Sequence, residues 1–181
     1  MEFIVGLANY MLGNIGTVDL PNIAVNALEE GYDSPSLSIL AGLGNDVWEI
    51  DEYLRLALKE MSIKLPDEKE AGLILMKFYI EQIIYKKIDP VEGIGKIISG
   101  VLRKTNCFDG KNKKYAFDYI GFHRLYGLYY DFDDMMNPLV CVSDKYRKKR
   151  IVKIKEEILI ESAKFLKDYE IIRNKVQDRN V

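Results

Sequence analysis

Three aspartates lie within four residues of one another, in the stretch YYDFDDMMNP: Asp131, Asp133 and Asp134. Clustered carboxylate oxygens are ligands that Ca²⁺ and Mg²⁺ prefer, so a metal site is the first chemistry to consider. An EF-hand register beginning at Asp131 fails, because its sixth position is Met136 instead of glycine and its twelfth is Val142 instead of glutamate. We therefore predict no metal ligand and interpret the aspartates as an exposed acidic patch for a basic partner.

Histidine chemistry depends on one side chain, because His123 is the single histidine of the chain. A serine or cysteine nucleophile activated by a histidine would have to use it. His123 stands among aromatic residues in GFHRLYG, which favours a hydrogen-bonded packing role. Neither GxxxxGK[ST] nor GxGxxG occurs, so nucleotide binding has no support. The sequence predicts a protein that is not an enzyme, with no catalytic residue, cofactor or metal.

Charge is distributed unevenly along the chain. The net charge is −2, but residues 1–60 contain ten acidic residues and only two basic ones. Such an asymmetry indicates an electrostatic surface for a partner more than it indicates a fold. The predicted partner-binding residues are Glu49, Asp51, Glu52, Asp131, Asp133 and Asp134.

The run KYRKKRIVKIK, residues 145–155, concentrates seven basic residues. Positive charge over one or two helical turns can neutralise phosphates or dock on an acidic surface. The acidic first half of the chain argues against a dedicated nucleic-acid binder. We favour a solvated face of the last helix, and we keep contact with another protein or with nucleic acid through 145–155 as the alternative.

These side chains must be positioned by helices, because apolar residues recur at helical spacing along nearly the whole chain. Gly31 can end one helix, and Ser34 followed by Pro35 is an N-cap signature for the next. Asp89 and Pro90 repeat that signature. Asn45 or Asp46 is the predicted cap of the helix that carries Glu49.

The second half of the chain predicts three further elements. The polar stretch KTNCFDGKNKKYAFD indicates a loop. The aromatic segment 115–132 predicts a helix from about Phe117 to Tyr130, with a strand pair left open. A long final helix is predicted from about Ser143 to Lys175.

The length of 181 residues predicts one domain. The predicted fold is all-α, a single compact bundle of about seven or eight helices with a long C-terminal helix. The domain prediction is residues 1–181, with 1–65 as a candidate subdomain and 176–181 as a frayed tail.

The two cysteines, Cys107 and Cys141, have no CxxC or Cys/His spacing. We predict that both are buried or half-buried thiols in a reducing cytoplasm. No run of about 18 apolar residues occurs, so no membrane partner is expected.

Two stretches resemble known bacterial proteins. LPNIAVNALEEGYDSPSLSILAGL and the capped helix after it, about residues 20–61, resemble a pattern in small helical bacterial proteins, most of them uncharacterised. IDPVEGIGKIISGVL, a polar loop and FDYIGFHRLYGLYYDFDDM resemble the layout of helical immunity proteins of bacterial toxin–immunity pairs. The resemblance implies a cytoplasmic, non-enzymatic protein that neutralises a cognate toxin by direct binding. It carries over no contact residues, because immunity contacts differ between pairs.

The expected function is therefore that of an immunity protein, and the expected partner is a basic protein toxin. An acidic surface would speed association with such a partner. Aromatic side chains amid charge often anchor these interfaces. The candidate anchors are Tyr32, Trp48, Tyr53, Tyr126 and Tyr130.

Overall fold

A computed structural model describes residues 2–44, 47–105, 108 and 116–177. Within those residues the regular structure is entirely helical, with nine α-helices and no strand. The predicted all-α fold is confirmed, including its long C-terminal helix. The predicted caps Asn45 and Asp46, most of the predicted loop and Cys107 lie outside the described residues.

The chain divides into two compact units, Met1–Leu75 and Met76–Val181. The boundary falls inside one helix, at a point where the sequence has no proline, glycine or polar linker. The prediction of one domain, and of a subdomain at 1–65, remains a prediction.

Unit 1 contains four complete helices and the first part of a fifth. They are α1 (Glu2–Met11), α2 (Leu20–Glu29), α3 (Pro35–Gly42), α4 (Val47–Glu60) and α5 (Glu68–Ile84). Their apolar stripes meet in a core that includes Phe3, Leu7, Leu20, Leu37, Ile50 and Leu54. Of the predicted anchors, Tyr32 and Tyr53 pack against this core and are only partly exposed.

The corner between α2 and α3 follows the sequence signals closely. Gly31 adopts a left-handed φ of 90°, which favours glycine at a helix end. The Ser34 hydroxyl accepts a hydrogen bond of 3.1 Å from the N–H of Leu37. The Glu60 carboxylate, at the end of α4, accepts from the Ser36 N–H at 3.0 Å and from its hydroxyl at 2.7 Å. The corner therefore connects α2 and α3 to the end of α4.

Unit 2 contains the second part of α5 and four further α-helices. They are α6 (Pro90–Ile97), α7 (His123–Met136), α8 (Asp144–Lys167) and α9 (Tyr169–Gln177). A π-helical turn, Ile98–Leu102, extends α6, and a 3₁₀ turn, Asp118–Ile120, precedes α7. Buried residues of this unit include Ile80, Ile94, Phe122, Leu125, Ile154 and Ile158.

The helix predicted from Phe117 begins later and ends later than expected. Phe117 and Gly121 both have left-handed φ values, 58° and 70°, on either side of the 3₁₀ turn. A continuous α-helix cannot pass through such residues, so α7 begins at His123 and runs to Met136. The strand pair left open for this segment does not occur between residues 116 and 136.

The final helix, predicted as one element, is two helices. Asp168 leaves helical geometry with φ −91° and ψ 2°, which separates α8 from α9. The described residues therefore form nine α-helices where about seven or eight were expected. Val176 is buried at the end of α9, so the helix includes the first residues of the predicted tail. Residues 178–181 lie outside the described part. Cys141 is exposed, so its predicted burial is wrong.

Candidate protein-binding surfaces

Helix α4 carries three of the six predicted contact acids. Ile50, Leu54 and other residues at helical spacing are buried in unit 1, so the remaining side of α4 faces outward. Glu49 and Glu52 lie on that outward side and are exposed. The structure therefore places two of the three acids where a partner can reach them.

The third acid of α4, Asp51, is engaged inside unit 1. The Tyr10 hydroxyl donates a hydrogen bond of 3.1 Å to Asp51 Oδ1, and Asp51 is half-buried. Partial burial, assisted by the negative Asp51 carboxylate, raises the pKa of Tyr10 above its ordinary value. Asp51 thus joins α4 to α1 and is less suited to contact a partner than Glu49 and Glu52.

Trp48 is the most exposed large apolar side chain of the described residues, at 87%. It is also the single tryptophan of the chain. Leu56, eight residues along the same helical stripe, is 40% exposed. Two apolar side chains thus flank Glu52 in one line along the helix. We refer to Trp48, Glu49, Glu52 and Leu56 as the α4 face.

On α7, Asp131 also has a partner within its own unit. Arg150 Nη2 lies 2.8 Å from Asp131 Oδ2, and Arg150 Nη1 lies 3.1 Å from Glu157 Oε1. Partial burial disfavours the charged guanidinium, but these two hydrogen bonds outweigh it and raise the pKa of Arg150. Asp131 therefore links α7 to α8. Asp133 and Asp134 are exposed.

Beside Asp133 lies a group of aromatic rings with one arginine. The ring centroids of Tyr126 and Tyr130 are 4.9 Å apart, and those of Phe117 and Tyr126 are 5.0 Å apart. Arg103 Nη2 donates to the Tyr130 hydroxyl at 3.3 Å. Hydrogen bonds from Tyr126 and Arg103 outweigh partial burial and the nearby Asp133 charge, and they lower the pKa of Tyr130.

Tyr126 and Tyr130, both predicted anchors, are therefore half-buried, and their rings pack against each other at an interplanar angle of 56°. Nothing in the sequence had marked Arg103 as a candidate functional residue. It follows the π-helical turn, a local irregularity that apolar periodicity does not reveal.

The basic segment 145–155 divides into residues that hold unit 2 together and residues that face outward. Arg147 donates hydrogen bonds to the carbonyl oxygens of Met135, Asn137 and Val140, which joins the first turn of α8 to the end of α7. Arg150 belongs to the network with Asp131 described above. Two arginines that the sequence offered as partner contacts thus have structural roles.

Lys155 has a structural partner as well. Its Nζ lies 2.5 Å from Asp89 Oδ2, and Asp89 Oδ1 accepts from the Val91 N–H at 3.0 Å as the N-cap of α6. Partial burial disfavours the Asp89 carboxylate, but the hydrogen bonds from Lys155 and Val91 outweigh it and lower the pKa of Asp89. The predicted capping role of Asp89 is confirmed.

The other basic residues of the segment point outward. Lys148 and Lys149 are exposed. Val152 is 58% exposed and Ile160, eight residues further along, is 56% exposed. We refer to Lys148, Lys149, Val152 and Ile160 as the α8 face.

His123 is the first residue of α7, and its Nδ1 lies 3.0 Å from Asp118 Oδ1. The imidazole as a whole is 40% exposed, but its Nδ1 atom, which faces Asp118, is buried.

Across the described ranges, no group of three His, Cys, Asp or Glu side chains is arranged to hold a metal ion. No helix among those residues is both long and apolar enough to cross a membrane. No family model, curated protein sequence or solved structure matches this chain. The resemblance to immunity proteins remains a prediction from the stretches quoted above.

Proposed function

We propose that this protein is a non-catalytic binding domain that captures a basic protein through its α4 face, most concretely an immunity protein that neutralises a toxin in the cytoplasm. The exposed Trp48 beside two exposed acids is the observation that carries the proposal. Tryptophan is enriched among the residues that dominate binding energy at protein interfaces. Glu49 and Glu52 would steer a positively charged partner to it.

Asp133 and Asp134 stay in the proposal as a second acidic contact, next to the tyrosines of α7. Asp51 and Asp131 have an indirect role in the proposal. Each positions its helix by binding a residue of another helix in its own unit, Asp51 to Tyr10 and Asp131 to Arg150.

Co-expression with the protein encoded by the adjacent gene tests the proposal. We expect protection of the host cell and a stable complex, both lost on Trp48→Ala with Glu49→Lys and Glu52→Lys. Tyr85→Ala is the matched control, because Tyr85 is 68% exposed and lies outside the α4 face. If co-expression gives neither protection nor a complex, the proposal is wrong.

The alternative is a helical adaptor that binds another protein or nucleic acid through 145–155. The exposure of Lys148 and Lys149 favours it. Charge reversal of these two lysines would abolish binding in the adaptor and leave toxin neutralisation unchanged. Arg150 is left out of this test, because its reversal would disturb the network with Asp131 and Glu157.

A further inference from the structure

We propose that the first three turns of α8 bind a single-stranded nucleic acid. The proposed contact residues are Lys145, Tyr146, Lys149 and Lys153, and all four are exposed. This inference rests on the alternative function stated above, binding through 145–155, and names its partner. It does not depend on the immunity function.

Unit 2 as a whole has the charge that a polyanion requires. Residues 76–181 contain 15 acidic and 22 basic residues, whereas residues 1–75 contain 13 acidic and 4 basic ones. The excess of acidic residues that argues against nucleic acid therefore belongs to unit 1, and the proposed contacts lie in unit 2. An excess of positive charge on one part of a chain is the electrostatic signature of a surface that binds nucleic acid.

Three lysines continue the basic part of the α8 face along one line of the helix surface. Lys145, Lys149 and Lys153 follow one another at intervals of four residues, so each is the surface neighbour of the next. The line is about 12 Å long, since each residue adds about 1.5 Å along a helix. Each ammonium group is a point charge on a flexible stem, so the three can follow the phosphates of a bound strand. We refer to these residues as the lysine line.

Acidic residues border the lysine line without interrupting it. Asp144 lies four residues before Lys148 and is therefore the surface neighbour of that lysine. Glu156 follows Lys153 by three residues and marks the end of the line. Lys153 Nζ lies 3.9 Å from Glu157 Oε1, which is too long for a hydrogen bond, and its side chain is 64% exposed.

The lysine line is carried by a helix whose inner side is fixed. Ile154 and Ile158 are buried in unit 2. Arg147 binds carbonyl groups at the end of α7 and in the loop after it, and Arg150 binds Asp131 of α7. These contacts hold α8 in place, so a bound strand would not have to order the helix that it contacts.

Tyr146 supplies an aromatic ring beside the lysine line. It is 53% exposed and lies three residues before Lys149 and seven before Lys153, which places it on the same helix face. A base can stack on such a ring, and only an unpaired base is accessible to do so. An acidic protein segment would use the lysines alone. The ring beside the lysine line therefore favours a single strand over a duplex and over an acidic protein.

Fluorescence anisotropy of a labelled oligothymidylate, titrated with the purified full chain at several salt concentrations, tests this inference. We expect the logarithm of affinity to fall with the logarithm of salt concentration at a slope of about −2, because each contact between a lysine and a phosphate contributes about 0.7 for a single strand. Lys149→Ala should reduce the steepness of that slope by about 0.7, and Lys145→Ala with Lys149→Ala by about 1.4. Absence of binding at low salt overturns the inference.

Tyr146→Ala should act differently from the lysine variants. It should lower the affinity at least about fivefold at every salt concentration, because the base loses its stacking surface. The slope should stay that of the wild type, since stacking releases no counterions. A variant that binds as tightly as the wild type overturns the role of Tyr146 and with it the assignment of a single strand.

The matched control is the end of α5, where the exposed Tyr85 is followed by two exposed lysines, Lys86 and Lys87. Tyr85→Ala, and Lys86→Ala with Lys87→Ala, should leave both the affinity and the salt slope unchanged. If these variants weaken binding as much as the α8 variants, the contact is not specific to α8 and the assignment is wrong.

Polyglutamate and duplex DNA, each with the same number of charges as the oligothymidylate, separate the partner classes. Both should bind the wild type less tightly than the single strand, and Tyr146→Ala should not weaken their binding, since neither presents an unpaired base. Equal or tighter binding of duplex DNA overturns the assignment of a single strand. Equal or tighter binding of polyglutamate overturns this inference alone, because the alternative function then has an acidic protein as its partner. Protection from the toxin is measured in a separate assay and does not depend on any of these results.

Discussion

Reversal of Arg150 should destabilise unit 2, in contrast to reversal of its exposed neighbours Lys148 and Lys149. The Arg150 guanidinium bridges Asp131 and Glu157, and its side chain is only 23% exposed. Arg150→Glu removes both ion pairs and places a third carboxylate between the two that remain.

The size of this destabilisation follows from the exposure of Arg150, Asp131 and Glu157. Each pair lies partly out of water, with Glu157 at 20% and Asp131 at 48% exposure, so each is worth about 1 kcal/mol at the upper end of surface ion pairs. Replacing attraction by repulsion roughly doubles that loss. We therefore expect a fall of about 2–4 kcal/mol in the free energy of unfolding for Arg150→Glu, and about 1–2 kcal/mol for Arg150→Met.

Urea unfolding followed by circular dichroism at neutral pH measures these changes. Reversal of Lys148 and Lys149 together should change the free energy of unfolding by less than about 0.5 kcal/mol, because both side chains are exposed. High salt should reduce the loss in Arg150→Glu. If Arg150→Glu is as stable as the lysine variants, the network does not support unit 2 and our division of the basic segment is wrong.

Three further predictions use the same unit. Asp89→Ala should cost about 1–2 kcal/mol in unfolding free energy and Asp89→Asn less, because asparagine keeps the N-cap while losing the Lys155 charge pair. The pKa of Asp89 is lowered in the folded state, so its contribution to the free energy of unfolding should be complete above about pH 4, the range of a free aspartate. That contribution should disappear as the pH falls through the folded pKa. An equal loss of stability in Asp89→Ala at all pH values would contradict this. Gly93→Ala should cost about 1–3 kcal/mol, since its Cβ would lie 2.5 Å from a buried isoleucine side chain, and a variant as stable as wild type by urea unfolding would contradict the packing. Ultraviolet titration should find Tyr130 ionising below its ordinary range, and Arg103→Ala should raise that pKa; no change would exclude the hydrogen bond.

Local signals predicted the helices well because each signal acts within a few residues. Gly31, Ser34 and Asp89 end or begin helices where the sequence placed those events. The break at Asp168 was missed, because its neighbours keep the apolar spacing of a single helix. The left-handed Phe117 was missed for a similar reason, since aromatic content carries no information on one φ angle.

The surfaces were predicted only in part, because charge in a sequence does not show what each charge contacts. Glu49 and Asp51 are two residues apart, yet one is exposed and the other accepts a hydrogen bond from Tyr10. Arg147 and Lys148 are adjacent, yet the arginine binds three carbonyl groups and the lysine faces outward. Tertiary packing decides these roles, and it depends on helices that are distant along the chain.

Fluorescence of Trp48 tests the central claim most directly. Because it is the single tryptophan, its emission reports the α4 face alone, and at 87% exposure the free protein should emit as a water-exposed indole. Titration with the protein encoded by the adjacent gene should shift that emission to shorter wavelength, with affinity reduced at least about tenfold by Glu49→Lys and Glu52→Lys. Binding that leaves the Trp48 emission unchanged would contradict the assignment of the α4 face as the partner-binding surface.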